Sequence, residues 1–222
     1  MNALIINGSP KAERGNTEVF IRQFVDGMAA PCPVRYVAKE CCETLAKELQ
    51  AFDTIIIMMP LYIHAMPGMV MKLLECLEPA PQARKSIGFL VQSGFIEAAQ
   101  AQYLERYLSA LAHKLNYTYL GTVIRPGSAG TSLMPESMNK TLFRCLNRLG
   151  AQFEATGAFE QALMTQLATP DTLTKGQAKF HQFLCNVGLE SNLFFKMMLR
   201  QNGALGRALD RPFAPHAEDS RK

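Results

Sequence analysis

Short apolar runs alternate with segments whose apolar residues recur at helical spacing through the first two thirds of the chain. Runs at Ala3–Ile6, Val34–Val37, Thr54–Met59, Ile87–Val91 and Tyr117–Ile124 read as five strands. The third, Thr54-Ile-Ile-Ile-Met-Met59, is apolar almost throughout, as expected of a strand buried on both faces. Between the runs, Val19, Phe20, Phe24 and Val25 mark one helix, and Leu45, Leu49 and Phe52 mark the next. Pro67 suits the first turn of a third helix, whose apolar face is Met69, Val70, Leu73, Leu74 and Leu77. Tyr103, Tyr107, Leu108, Leu111 and Leu115 line a fourth, and Met138, Leu142, Cys145, Leu146, Leu149 and Phe153 a long fifth. Strands alternating with helices imply right-handed crossovers and a parallel sheet covered on both faces. Five strands fit the doubly wound order 2-1-3-4-5, whose ligand lies at the carboxyl ends of the strands, near the switch point.

After Gly157 the pattern becomes purely helical. A Pro-containing break spans Thr165–Asp171, a helix is expected from Thr174 through Cys185, and another runs from about Leu189 to Arg200. Leu193, Phe194, Met197 and Met198 fall on or near one face of that last helix, which fits a membrane surface, a dimer contact or a cap over the core edge. The expected organisation is a domain over residues 1–156 with a helical extension over 157–222 packed on it.

Composition narrows the class. With 222 residues, 48% hydrophobic and 19% charged, the chain is globular, which excludes intrinsic disorder, collagen-like repeats and coiled coil. A net charge of +4 is too mild to indicate nucleic-acid binding. The surplus lies in residues 175–222, which hold eight basic and four acidic residues; such a segment either faces a polyanion or is a solvated surface. Thr54–Met71 carries no charged side chain and approaches the length of a membrane span. Pro60, His64, Pro67 and Gly68 interrupt it, so it reads as strand, loop and helix, and no span is expected. Six scattered cysteines with no CxxC pair, behind a start that lacks a basic n-region, imply reduced thiols in the cytoplasm and no metal finger.

Three loops fall at the carboxyl edge of the expected sheet. The first, Asn7-Gly8-Ser9-Pro10-Lys11-Ala12-Glu13-Arg14-Gly15-Asn16-Thr17, joins glycines, small polar side chains and the start of a helix, an anion cradle suited to a phosphate monoester. Lys11 or Arg14 would neutralise part of its charge. It holds no Gly-Lys-Ser/Thr, no G-x-G-x-x-G and no cysteine, which excludes a triphosphate P-loop, a dinucleotide turn and a tyrosine-phosphatase loop. The second, Met59-Pro60-Leu61-Tyr62-Ile63-His64-Ala65-Met66-Pro67-Gly68, is apolar and aromatic, able to hold a flat ring whose polar edge meets the amides of Leu61 to Ile63. His64 is either a proton donor or a structural residue. The third, Gln92-Ser93-Gly94-Phe95-Ile96-Glu97, permits close backbone approach at Gly94. Arg125-Pro126-Gly127-Ser128-Ala129-Gly130-Thr131 is either a cap over the pocket or a connector.

Gly8-Ser9-Pro10-Lys11 with Gly15-Asn16-Thr17, then Pro60-Leu61-Tyr62 and Met66-Pro67-Gly68 ahead of Lys72, resemble the flavodoxin-like NAD(P)H-dependent FMN reductases over roughly Asn2 to Phe153. The resemblance implies a flavodoxin-like fold and noncovalent FMN, its phosphate held at Ser9, Lys11, Asn16 and Thr17. It places the isoalloxazine against Pro60, Leu61, Tyr62 and Ile63, with Ser93, Gly94 and Phe95 completing the pocket. NADPH or NADH would be the co-substrate, the acceptor a quinone, flavin, azo or nitro compound or ferric complex, and the assembly a homodimer. No side chain is expected to act as acid or base, since the flavin carries the chemistry. Some relatives hold an iron–sulfur cluster on a compact cysteine motif; here only Cys41-Cys42 occupies that region, so no cluster is expected. The competing reading is an electron carrier or FMN-binding sensor without turnover.

Overall fold

The five apolar runs pair in one parallel sheet, with the most deeply buried of them at its centre. The computed structural model describes residues 2–80, 85–187 and 189–210, without the side chains of 189–194. Strands β1 (Ala3–Asn7), β2 (Val34–Tyr36), β3 (Thr54–Pro60), β4 (Ser86–Gln92) and β5 (Thr118–Arg125) form one parallel sheet in the order β2-β1-β3-β4-β5. Register pairs Ile5 with Val34 and Ile56, and Ile57 with Phe89. Successive side chains leave opposite faces. Leu4, Ile6, Ile55, Ile57 and Met59 therefore enter one core, and Ala3, Ile5, Ile56 and Met58 the other.

Helices α2 (Cys42–Leu49), α3 (Gly68–Glu75) and α4 (Gln102–Lys114) cover the first face, while α1 (Asn16–Asp26), α5 (Glu136–Thr156) and α6 (Gln161–Leu167) cover the second. The inward stripe of α4 is Leu104, Leu108 and Ala112. Tyr103 and Tyr107, expected to line that helix, are instead 64% and 51% exposed, because the stripe is rotated by one residue. Met138, in the first turn of α5, is exposed as well. Helix α6 was not distinguished in the sequence, which marks a break from Thr165. Its Leu163 and Leu167, with Phe159 ahead of it, complete the second core. The compact unit holding the sheet accordingly extends to Leu173, beyond the boundary at 156 expected from the sequence.

Helices α1 and α5 cross at closest approach through Gly27 and Gly150, where a Cβ would stand 1.9 Å from Asn147 O and Phe24 O. At one end of that crossing the Glu154 carboxylate accepts the N–H groups of Ala29 and Ala30 at 2.6 and 2.7 Å. Those two bonds hold its pKa below the ordinary 4.5. A depressed carboxylate pKa stabilises the fold at neutral pH, and the effect is lost as the group protonates. Glu154→Gln is expected to lower the melting temperature at pH 7, with the two proteins converging as pH falls below 4.5. A gap independent of pH contradicts this.

Residues from Thr174 form a second compact unit. It holds α7 (Lys175–Asn186), opened by a capping box between Thr174 and Gln177, and α8 (Leu189–Gln201). None of the residues of α7 is buried, and Phe180 and Phe183 are both exposed. Of the apolar face expected on α8, Leu193 and Phe194 lie outside the described side chains. No helix among the described residues is long and apolar enough to cross a membrane.

Candidate functional site

Four loops at the carboxyl edge of the sheet are knit together by hydrogen bonds and one ring contact. In the first, Asn7 at the end of β1 accepts the Ser9 N–H at 2.9 Å through Oδ1, and its amide donates to Glu18 at 3.1 Å. Tyr36 donates to the same carboxylate, and burial first, then Glu18, pushes its hydroxyl pKa to about 12. Ser9 is buried, and its Oγ accepts the Lys11 N–H at 3.2 Å. A Cβ on Gly15 would lie 2.9 Å from that Oγ, so a side chain there would have to push Ser9 aside. Lys11 and Arg14 are exposed and make no ion pair among the described residues, while Glu13 pairs with Lys39. The first N–H groups of α1, those of Asn16 and Thr17, have no acceptor within the helix, whereas Glu18 N–H donates to Gly15 O.

Asn16 and Thr17 behave differently from expectation. The Asn16 amide donates to Ser128 O at 2.7 Å and Ala129 O at 3.1 Å, and its Oδ1 accepts the Ser132 N–H at 2.9 Å. It clasps the loop after β5 to the start of α1. Thr17 is fully buried and its hydroxyl accepts from Gln92 Nε2. Gln92 Oε1 in turn accepts from Ser128 Oγ at 2.6 Å, and Thr131 Oγ1 donates to Ser128 O. Every member of this chain is buried, and leaving one unpaired costs about 1–3 kcal/mol. The side chains of Asn16 and Thr17 thus hold the frame of this edge. The loop from Arg125 to Thr131, left open between cap and connector, is a paired member of the site. Ser93 donates to Arg125 O, Ser128 N–H to Ser93 O, and Gly127 N–H to Phe95 O.

The loop after β3 turns sharply. Pro60 ends the ladder opposite Gln92, Leu61 N–H donates to Gln92 O at 2.8 Å, and Tyr62 and Ala65 exchange both backbone bonds. Of the amides expected to meet a ring edge, Leu61 and Tyr62 are therefore committed, and Ile63 is left. Between Tyr62 and Ala65, Ile63 and His64 both take positive φ, 48° and 65°. For a β-branched residue this is costly backbone. The turn lifts Ile63 to 86% exposure and lays the His64 ring parallel to Phe95, centroids 5.4 Å apart, with Nδ1 3.1 Å from Gln100 O. Gly94, Phe95 and Ile96 are exposed opposite it, whereas Ser93 is buried.

Two residues at the loop after β5 take roles that its reading as cap or connector did not specify. Ser128 joins three loops although more than 30 residues separate it from its partners Gln92 and Ser93. Arg125, the register partner of Gln92, is half-buried with its Nε lacking any partner, and burial lowers its pKa.

No family model matches the chain, and no curated protein does. Solved structures do. An apo NADH:FMN oxidoreductase shares 15% identity at a TM-score of 0.53, over 76% of this chain and 95% of that one. An NAD(P)H:quinone oxidoreductase from Methanothermobacter marburgensis shares 10% at 0.53, over 68% and 96%. An NADPH-quinone reductase from P. pentosaceus shares 19% at 0.50, over 67% and 96%. At these identities the likeness establishes the fold, which is flavodoxin-like as the sequence pattern implied.

Proposed function

We propose that the chain is an FMN-dependent NAD(P)H oxidoreductase. One observation carries the reading: a glycine-walled anion cradle stands on the same sheet edge as two exposed apolar loops, and bonded loops bridge the two. That is the layout needed by a molecule with a phosphate at one end and a flat ring at the other. The solved structures named for quinone and FMN reduction point the same way.

The fit can be tested residue by residue. Lys11, the Ser9 turn and the N–H groups of Asn16 and Thr17 would hold the phosphate, in a cradle that any side chain on Gly15 would begin to fill. Pro60, Leu61, Tyr62 and Ile63 would flank one side of the ring and Ser93, Gly94 and Phe95 the other. Bound FMN supplies the hydride and electron transfer. The protein's part is placement: the exposed apolar side chains Tyr62, Ile63, Phe95 and Ile96 would line a shelf that a nicotinamide and an acceptor occupy in turn. One shelf used twice makes the kinetics ping-pong. The acceptor is a small molecule, the assembly a homodimer and the setting the cytoplasm.

Lys11→Glu reverses a charge at the cradle's rim without touching the core. FMN titrated into this variant is expected to bind about tenfold more weakly than to the parent, a gap of about 1.4 kcal/mol that shrinks with added salt. Unchanged affinity removes the phosphate assignment. Stoichiometric FMN without NAD(P)H oxidation would instead place the chain among electron carriers or sensors.

A further inference from the structure

A second hollow adjoins the site. The groove between α3 and α4 encloses about 310 Å³ and is lined by His64, Met66, Met71, Glu75, Tyr103 and Tyr107. Its volume is at the lower end of small-molecule sites. Tyr103 and Tyr107 lie one helical turn apart on the exposed side of α4, and Met71 faces them from α3 at 40% exposure. Core packing accounts for none of the three. His64 belongs to both places, since it lines the groove and its ring stacks on Phe95 at the shelf. The strained Ile63–His64 turn is what puts that ring there.

Charge selects the occupant. Glu75 is the one acidic side chain of the lining, and neither Lys nor Arg lines the groove. Arg106 rests over the Tyr103 ring at 5.7 Å but lines the neighbouring hollow, with Glu105 and His113. A soft, aromatic cleft with a single carboxylate accepts neutral or amine-bearing molecules and repels anions.

We infer that this groove receives the arm of the electron acceptor, and that the acceptor is a planar aromatic compound, neutral or amine-bearing, with an apolar substituent. This rests on the reductase reading and narrows its acceptors: sulfonated dyes, free flavin phosphates and anionic ferric complexes are poor substrates. His64 and Phe95 guide the ring from groove to shelf.

The test is calorimetric titration of the full-length chain, with and without FMN, using a neutral 2-alkyl naphthoquinone and a naphthoquinone sulfonate. The alkylated compound is expected to bind about tenfold more tightly or better, with or without FMN. Tyr107→Ser removes most of that preference, Tyr107→Phe retains it, and Glu75→Gln narrows the discrimination against the sulfonate. Equal affinity for both quinones, or a Tyr107→Ser variant that binds like the parent, overturns the inference. So does a Tyr107→Ser variant that turns a dimer into a monomer with quinone affinity intact, which assigns the groove to a second copy. Failure of the reductase reading shows separately, as no FMN uptake by a chain that still binds the quinone.

Discussion

Gly150→Ala is expected to destabilise the protein by about 3 kcal/mol or more, a large share of the 5–15 kcal/mol by which domains of this size are folded. Helix propensity argues the other way, since alanine gains about 1 kcal/mol over glycine inside a helix. Packing wins because the new Cβ would stand 1.9 Å from the Phe24 carbonyl oxygen, a backbone atom that no side-chain rotation moves aside. The helices have to separate, and Phe20, Phe24, Leu146, Leu149 and Phe153, which fill the core beneath them, lose contact together. Gly27→Ala strikes the same crossing from α1 through Asn147 O. Once the helices have moved apart, the second substitution costs less, so the double variant falls short of the sum. Denaturant midpoints measure all three; a Gly150→Ala midpoint at or above that of the parent contradicts the close crossing.

The second large effect is on binding. Asn16→Asp keeps an oxygen for the Ser132 N–H but loses both donors to Ser128 O and Ala129 O, and sets a negative charge against those carbonyls. The loop after β5 is released from the start of α1, and the added charge lies beside the loop proposed to hold the phosphate. FMN affinity is expected to fall about a hundredfold, close to 2.7 kcal/mol. Asn16→Ala, which breaks the clasp without adding charge, is expected to lose about tenfold, and salt narrows the gap between the two variants. An aspartate variant that binds FMN like the parent separates Asn16 from the site altogether.

The sheet was legible because its three inner strands are short and apolar on both faces and every strand is followed by a helix-period segment, a combination that leaves few topologies. Helix α4 shows where periodicity misleads. Tyr103 and Tyr107 continue the apolar spacing of Leu111 and Leu115, but a tyrosine satisfies a surface as well as a core. The residue that turns inward is Leu104. Helix α6 has only seven residues, too few to display a period, although Leu163 and Leu167 one turn apart carried the signal. In the site, the first loop's glycines and helix start were readable as an anion cradle. The fate of its side chains was not, because their competitors are remote: Asn16 meets carbonyls 112 and 113 residues away, and Thr17 meets Gln92 75 residues away. The stacking of His64 on Phe95 likewise depends on a turn with two positive φ angles that its sequence, Ile-His, does not advertise.

The visible absorption spectrum of the purified protein supplied with FMN, before and after NADPH is added without oxygen, tests the central claim most directly. The expected result is a flavin spectrum that bleaches on NADPH addition. A chain that takes up no FMN, or one whose flavin spectrum NADPH and NADH leave unchanged, contradicts it.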